Sequence, residues 1–261
     1  MEIVVLLKQV PATESMIAVA GDGVSIKSDG LKYVINPYDE LAVEEALVIR
    51  EAQGGSVTIL SVGPAKAAEA IRTGLAMGAD KGVLVDPGDL VLDGLNTAKL
   101  LAAALKTLPH DLILAGHRAV DDDNFQVATA VAELLAIPNI AMVVKQTIAG
   151  GKIRCVCTVE GGTKEVEAPL PALIATQRGL NNPRYASLPG IMKAKKKPLE
   201  TKKPADLGLN VADLQPKVKI KALKAPAERK GGRIIAGDSV QAKAAALARA
   251  LHEEAKVIYQ L

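Results

Sequence analysis

Tryptophan is absent from this chain, and only 2% of its 261 residues are aromatic, although 49% are hydrophobic. The core must therefore consist mainly of alanine, valine, leucine and isoleucine, a composition that suits a parallel sheet covered by helices. The sequence also lacks an uncharged apolar run long enough to cross a bilayer. Residues 1–5 lead directly into a predicted strand and carry no signal-peptide pattern. We therefore expect a cytoplasmic protein that does not insert into membranes.

Cysteine is scarce, with Cys155 and Cys157 as the two examples. They are two residues apart on a predicted strand and should share one face, but a second pair to complete a zinc site is missing. We expect buried free thiols in a reducing compartment. The net charge of +3 is small, and the lysine-rich residues 193–203 contain no aromatic residues, which argues against a nucleic-acid-binding module.

The first half of the chain alternates between two hydrophobic patterns. Continuous apolar runs of strand length occur at residues 3–7, 57–62, 83–85 and 112–115. Segments with helical periodicity lie at residues 41–52, 65–77, 96–108 and 126–135. This alternation predicts an α/β domain with a doubly wound, mainly parallel sheet.

The second half of the chain has a different hydrophobic pattern and composition. Residues 153–159 and 163–167 alternate around Gly161-Gly162, which predicts a β-hairpin, and residues 173–176 form a further short strand. Residues 195–238 are rich in lysine, proline and glycine and are interpreted as an extended arm. Asp238-Ser239 is expected to cap a last helix over residues 240–254. We therefore divide the chain into a domain at residues 1–194 and an arm with its helix at residues 195–261, which either folds back or wraps a partner.

Three segments should meet at the carboxyl ends of the first strands, where open α/β sheets bind ligands. The first is the end of strand one, residues 6–11. The second is Asn36-Pro37-Tyr38-Asp39, in which an N-cap, a first-turn proline and a capping-box carboxylate explain the segment by helix initiation alone. The third is residues 116–127, whose aspartates suit a helix dipole or a divalent metal, and whose N–H groups at residues 124–127 suit an anion.

Catalytic motifs are missing. The chain has neither a Walker phosphate loop nor a G-x-G-x-x-G turn, which excludes an ordinary P-loop NTPase and argues against a standard dinucleotide dehydrogenase. His110, His117 and His252 are scattered, and no Ser/His/Asp set is evident. We therefore predict no catalytic residue and no metal site.

Residues 182–199 place apolar Leu188, Ile191 and Met192 among three prolines, just before four lysines. A long regular element is unfavourable there because proline interrupts it. Apolar side chains on a stiff, basic segment are typical of a surface that binds another macromolecule. A solvated basic linker is the alternative interpretation.

Taken in order, these motifs resemble the β subunit of electron-transfer flavoproteins. The resemblance covers nearly the whole chain and rests on residues 8–11, residues 36–39 running into 42–46, residues 71–80, residues 119–123, residues 161–171 and residues 182–199. It implies an electron-carrier subunit, not an enzyme, with a Rossmann-like or adenine-nucleotide hydrolase-like fold. It also implies a heterodimer in which an α subunit holds the redox-active FAD and is wrapped by the C-terminal arm.

In the ordinary branch of this family the β subunit holds a structural AMP. Matched residue by residue, that site comprises Leu6, Lys8, Asn36, Pro37, Tyr38, Asp39, Val62, Gly116, His117, Arg118, Ala119, Val120, Asp121, Asp122, Asp123, Asn124, Phe125, Gln126 and Val127. The electron-bifurcating branch holds a second FAD there and oxidises NADH. Asp122 replaces the glycine of that branch and its Gly-Pro is missing, which favours AMP, whereas Val127 favours the second FAD.

The resemblance also implies partners. The family's docking leucine matches Leu188 and inserts into a pocket of acyl-CoA dehydrogenase-type flavoenzymes, as in fatty acid β-oxidation, and the electrons pass to a quinone-linked, membrane-associated oxidoreductase. The docking residues are Tyr185, Leu188, Pro189, Ile191, Met192 and Lys193. An alternative of another class is a stand-alone nucleotide sensor, a monomer for which the segment around Leu188 would have no purpose.

Overall fold

The computed structural model describes residues 1–227 and 231–259. In this part of the chain the strands are β1 (Glu2–Leu6), β2 (Gln9–Pro11), β3 (Tyr33–Ile35), β4 (Ser56–Val62), β5 (Lys81–Val85), β6 (Leu112–Gly116), β7 (Asn139–Ala149), β8 (Lys152–Val159), β9 (Gly162–Pro169), β10 (Ala172–Thr176) and β11 (Leu199–Lys202). The helices are α1 (Pro37–Gln53), α2 (Ala68–Met77), α3 (Gly94–Leu105), α4 (Val127–Leu135), α5 (Leu188–Ala194) and α6 (Val240–Arg249).

A nine-stranded sheet runs in the order β11-β5-β4-β1-β6-β10-β7-β8-β9. The strands from β11 to β7 in that order are parallel, and β8 and β9 continue the sheet as an antiparallel hairpin. The predicted doubly wound, mainly parallel sheet and its hairpin are therefore confirmed. Strand β7 was not predicted. Strands β2 and β3 pair separately.

Both faces of the sheet are covered because successive side chains of a strand point to opposite sides. Ile3 and Val5 pack with α1 and α2 on one face. Val4 and Leu6 pack with α3 and α4 on the other. All four are almost completely buried, which explains why the strand reads as a continuous apolar run.

The expected thiols lie on β8. Cys155 and Cys157 are both free and buried, and they belong to the core cluster on the α1 side of the sheet. Burial raises the pKa of Cys155 to about 12, so this thiol stays protonated at neutral pH. The expectation of buried free thiols is therefore confirmed.

Side-chain caps start α3 and α6, as well as the short helix α5. Asp93 accepts a hydrogen bond from the N–H of Asn96 at the start of α3. Ser239 accepts one from the N–H of Ala242 and starts α6, as predicted, although a π-helical turn at Ala250–Glu254 replaces the last part of the predicted helix. Among the described residues, no helix is both long and apolar enough to span a bilayer.

The predicted arm begins later than residue 195. The chain divides into one compact unit at Met1–Ala222 and a second at Leu223–Leu261. Strand β11 pairs with β5 at the edge of the main sheet, and Leu214 is fully buried in the core cluster on the α3 side. Interpretation of residues 195–214 as an extended arm is therefore wrong, because β11 extends the sheet and Leu207, Leu209 and Leu214 pack with the core. Residues 228–230 and 260–261 of the predicted arm lie outside the described residues.

Candidate functional site

The three predicted segments meet at the carboxyl ends of β1 and β6. These neighbouring strands are followed by connections to opposite faces of the sheet, so a crevice opens between them. Lys8 follows β1, Gly116 ends β6, and Asn36 precedes α1. Leu6 and Val62 end the neighbouring strands β1 and β4, but their side chains pack with the core on the α3 side.

Asn36 and Asp39 join the three segments to one another. The Asp39 carboxylate is buried and accepts the N–H of Lys8 at 2.7 Å and the N–H of Gly116 at 2.9 Å. Asn36 donates its amide to the carbonyl of Arg118 at 2.8 Å and accepts the N–H of Val120 at 3.2 Å. Asn36 makes no cap hydrogen bond through its side chain. Helix initiation is therefore the wrong interpretation of these two side chains, although Pro37 does begin α1 as predicted.

Gly116 is required by this packing. A Cβ at this position would lie 2.7 Å from Tyr38 Cβ and 2.9 Å from the Tyr38 carbonyl carbon, and it would also collide with the Asp39 carboxylate. Any larger residue would separate β6 from α1. The close contact thus depends on glycine.

An aromatic cluster lines the crevice. The His117 ring meets Tyr38 edge-on at 4.4 Å and lies 5.3 Å from the Phe125 ring. The Arg118 guanidinium stacks 4.9 Å from the Tyr38 ring and donates to its hydroxyl at 2.6 Å. Burial lowers the pKa of His117, whose Nδ1 lies 2.9 Å from the Thr176 carbonyl. A neutral ring that donates from Nδ1 keeps Nε2 as a hydrogen-bond acceptor.

The three aspartates form ion pairs with two cations of the same site. Lys8 Nζ lies 2.8 Å from Asp121 Oδ1 and 3.1 Å from Asp122 Oδ2, and Arg118 lies 2.9 Å from Asp123. Burial lowers the pKa of Lys8, but the hydrogen bonds and charges of Asp121 and Asp122 outweigh it and raise that pKa. Within residues 1–227 and 231–259, no group of three or more His, Cys, Asp or Glu side chains is arranged to hold a metal.

The start of α4 leaves backbone donors open. Asp123 and Phe125 adopt left-handed conformations with φ of 52° and 56°, which are rare for such residues. The first helical hydrogen bond runs from Ala130 N to Gln126 O. The N–H groups of residues 127–129 therefore donate to no acceptor in the described part of the chain. An open groove of about 510 Å³ lies beside them, lined in part by Gly94, Leu95, Phe125, Gln126 and Thr129.

Asp39 makes stability depend on pH. Burial raises its pKa from the ordinary 3.8 to about 7, although its backbone hydrogen bonds lower it. The folded state then holds a proton between about pH 4 and pH 7 that the unfolded state has lost, so this contribution is complete below pH 4 and disappears as pH rises through 7. We expect Asp39→Asn to remove a pH-dependent term of at most about 4 kcal/mol from the unfolding free energy. Urea unfolding of the purified protein from pH 5 to pH 8 measures it, and equal slopes for both proteins would contradict the assignment.

The predicted docking residues form an exposed surface on and beside α5. Tyr185 is 98% exposed, Leu188 81% and Met192 64%, and Ile191, Pro189 and Lys193 are also exposed. The prolines do not prevent a helix of seven residues, because Ser187 caps it through the Gly190 N–H and Pro189 lies in its first turn. We call these six residues the docking surface.

Comparison with known proteins gives the family. The model of the electron transfer flavoprotein domain matches residues 24–207. The chain is 40% identical over 260 residues to the electron transfer flavoprotein subunit beta of Bacillus subtilis, covering 99% of this chain and 100% of that protein. It is 45% identical over 202 residues to the Syntrophomonas wolfei subunit beta (77% and 79% covered) and 37% identical over 236 residues to the human one (89% and 91%). The chain therefore belongs to the electron transfer flavoprotein family, within which it is a β subunit.

Proposed function

We propose that the chain is the AMP-binding and dehydrogenase-docking subunit of a cytoplasmic flavin-based electron carrier. Membership of the family makes it a component of an electron carrier rather than a classical enzyme, and it implies association with flavin and with an α subunit. In the proposal the redox-active FAD belongs to the α subunit, and this chain contributes no redox centre of its own.

The crevice between β1 and β6 supports a mononucleotide. The open N–H groups of residues 127–129 at the start of α4 are the observation that carries this proposal, because a helix N-terminus with free donors suits a phosphate. The ion pairs of Lys8 and Arg118 offset two of the three aspartate charges that would otherwise repel that phosphate. Neutral His117 offers Nε2 as an acceptor, which suits the amino group of an adenine. AMP would serve to hold the three segments together.

AMP is favoured over a second FAD by the residues of the loop before α4. A flavin diphosphate needs close approach to the backbone, which glycine permits best. Residues 117–127 contain no glycine, and Asp122 at the second aspartate position is tied to Lys8. Val127 is the residue that favours the bifurcating alternative, in which this subunit would hold a second FAD and oxidise NADH.

The docking surface supports the choice of an electron donor. Leu188 exposes an apolar side chain and Lys193 on the same helix is also exposed, which combines a hydrophobic anchor with a charge that steers acidic partners. One leucine anchor contributes about 1.5–3 kcal/mol, enough for specificity and weak enough for rapid release. We propose an acyl-CoA dehydrogenase-type flavoenzyme as donor and a quinone-linked oxidoreductase as acceptor.

The cofactor content of the heterodimer tests the nucleotide. The chain is co-expressed with its α subunit, purified and denatured, and the released FAD and AMP are quantified. We expect one FAD and one AMP per heterodimer. Two FAD with no AMP would establish the bifurcating branch instead, and a monomer without a flavin-bearing partner would contradict the whole proposal.

A further inference from the structure

Lys197 differs from the three lysines that precede it in the basic run. Lys193, Lys195 and Lys196 are exposed. Lys197 turns inward, and its Nζ donates to the carbonyls of Leu75 at 3.0 Å, Gly78 at 3.3 Å and Ala79 at 2.6 Å. These carbonyls belong to the last turn of α2 and the residues directly after it. A cation there satisfies acceptors that a helix leaves free and complements the negative end of its dipole.

Arg72 makes the reciprocal contact. It lies on α2, and its Nη1 donates to the carbonyls of Ala194 at 2.6 Å and Lys197 at 2.7 Å, at and just beyond the end of α5. Each of the two helices therefore has its C-terminal end satisfied by a cation from the other side of the contact. We call this pair of contacts the helix clamp.

The packing between α2 and α5 is close as well as charged. A Cβ on Gly190 would lie 2.5 Å from the Ala76 carbonyl oxygen, so the backbone of α5 rests directly on α2. Ala194 is buried against the core at the end of α5. The clamp thus fixes the orientation of a short helix that isolated chain segments of this length do not maintain.

The segment just before α5 is also tied to the rest of the domain, through Arg184. The Arg184 guanidinium forms two hydrogen bonds with the buried carboxylate of Glu44, at 2.8 Å and 2.9 Å, and two with Glu51, and the Arg184 backbone N–H donates to Glu44 at 3.0 Å; both acids lie on α1. The docking surface is therefore fixed on both sides, by α1 before it and by α2 after it. Its exposed side chains project from a rigid base.

We propose that Lys197 and Arg72 are positioning residues for docking, which act by holding α5 so that Leu188 is presented in its binding orientation. The inference rests on the proposed docking function. Its physical basis is preorganisation: a fixed anchor loses less conformational freedom on binding than a mobile one. Lys197 would then contribute through geometry, whereas its exposed neighbours contribute through charge.

The decisive comparison is between Lys197→Met and Lys196→Met in the purified α/β heterodimer. Both remove one positive charge, so charge alone predicts equal effects. With an acyl-CoA dehydrogenase reduced by its acyl-CoA substrate as electron donor, we expect Lys197→Met to raise the KM for the heterodimer at least about fivefold, with kcat changed less than about twofold. Lys196→Met should change the KM less than about twofold at physiological salt.

A double-mutant cycle separates positioning from general destabilisation. In a Leu188→Ala background, Lys197→Met should add less than about twofold, because the proposed effect of α5 orientation is to present Leu188, the main anchor of the docking surface. Amide hydrogen exchange over residues 188–197 should accelerate in Lys197→Met and stay unchanged in Lys196→Met. Arg72→Met removes the other half of the clamp and should reproduce both effects, which keeps the test available if Lys197→Met does not assemble.

Equal KM values for Lys197→Met and Lys196→Met, while Leu188→Ala raises KM, would overturn the positioning role but leave the docking function standing. The positioning role would also be overturned if the KM effects of Lys197→Met and Leu188→Ala were additive, or if hydrogen exchange over residues 188–197 were unchanged in Lys197→Met. A Leu188→Ala heterodimer with unaltered KM would instead refute the docking function on which the inference rests.

Discussion

Leu188→Ala is expected to slow electron transfer from an acyl-CoA dehydrogenase by about 10- to 100-fold at subsaturating donor concentration, since burial of one leucine contributes about 1.5–3 kcal/mol. The side chain is 81% exposed in this subunit, so its removal leaves no cavity in the fold. The loss should therefore fall on docking alone, and the bound nucleotide should stay at its wild-type level. Stopped-flow reduction of the heterodimer flavin measures the rate.

Val91→Ala is the matched control, because Val91 is an apolar residue of similar exposure, at 71%, that lies outside the docking surface. We expect its rate to match that of the wild type. If Leu188→Ala also left the rate unchanged, the docking assignment would be wrong. If it released the nucleotide, the separation between docking surface and nucleotide site would be wrong.

Removal of the Asn36 side chain should abolish tight nucleotide binding. Asn36→Ala deletes both hydrogen bonds that tie the start of α1 to the Arg118 carbonyl and the Val120 N–H. Buried groups that lose their partners cost about 1–3 kcal/mol each, so the nucleotide Kd should rise by at least about 30-fold. The heterodimer should then purify with less than about one tenth of its AMP, which chromatography of the denatured protein quantifies.

Asn181→Ala serves as the comparison for that experiment. The Asn181 amide also donates to two acceptors on α1, the Leu41 carbonyl at 3.0 Å and Glu45 at 2.8 Å, but it precedes the docking surface. This variant should keep its AMP. Full AMP content in Asn36→Ala would show that the contacts between the segments do not support the nucleotide.

The central sheet could be predicted because its strands are buried on both faces and read as uninterrupted apolar runs. Strand β11 has the opposite character: its sequence Leu-Glu-Thr-Lys is polar because an edge strand has one neighbour and faces solvent. Such a strand is indistinguishable from a linker until its backbone is seen to pair with β5. The same physics explains why the boundary of the arm was predicted too early.

The segments of the candidate site could also be predicted, but the roles of their side chains could not. Asn36, Pro37 and Asp39 satisfy every requirement of a helix start, and the same groups are equally able to bond distant backbone atoms. The choice is made by the approach of residues 116–120, which lie about 80 positions away in the sequence and far outside any local pattern. The contacts of Lys197 could not be predicted either. Its partners are backbone carbonyls, which every residue has, so they leave no pattern in the sequence.

The connection that carries the docking surface joins β10 to β11, and four strands of the sheet lie between these two. At about 4.8 Å per strand, the chain has to travel roughly 24 Å across the face that α1 and α2 cover. Both ends of this connection are therefore anchored in the sheet, whereas the candidate nucleotide site lies at the carboxyl ends of the strands. Substitution of the exposed residues on this connection can therefore change the proposed donor specificity while the contacts among the three segments of the candidate site stay the same.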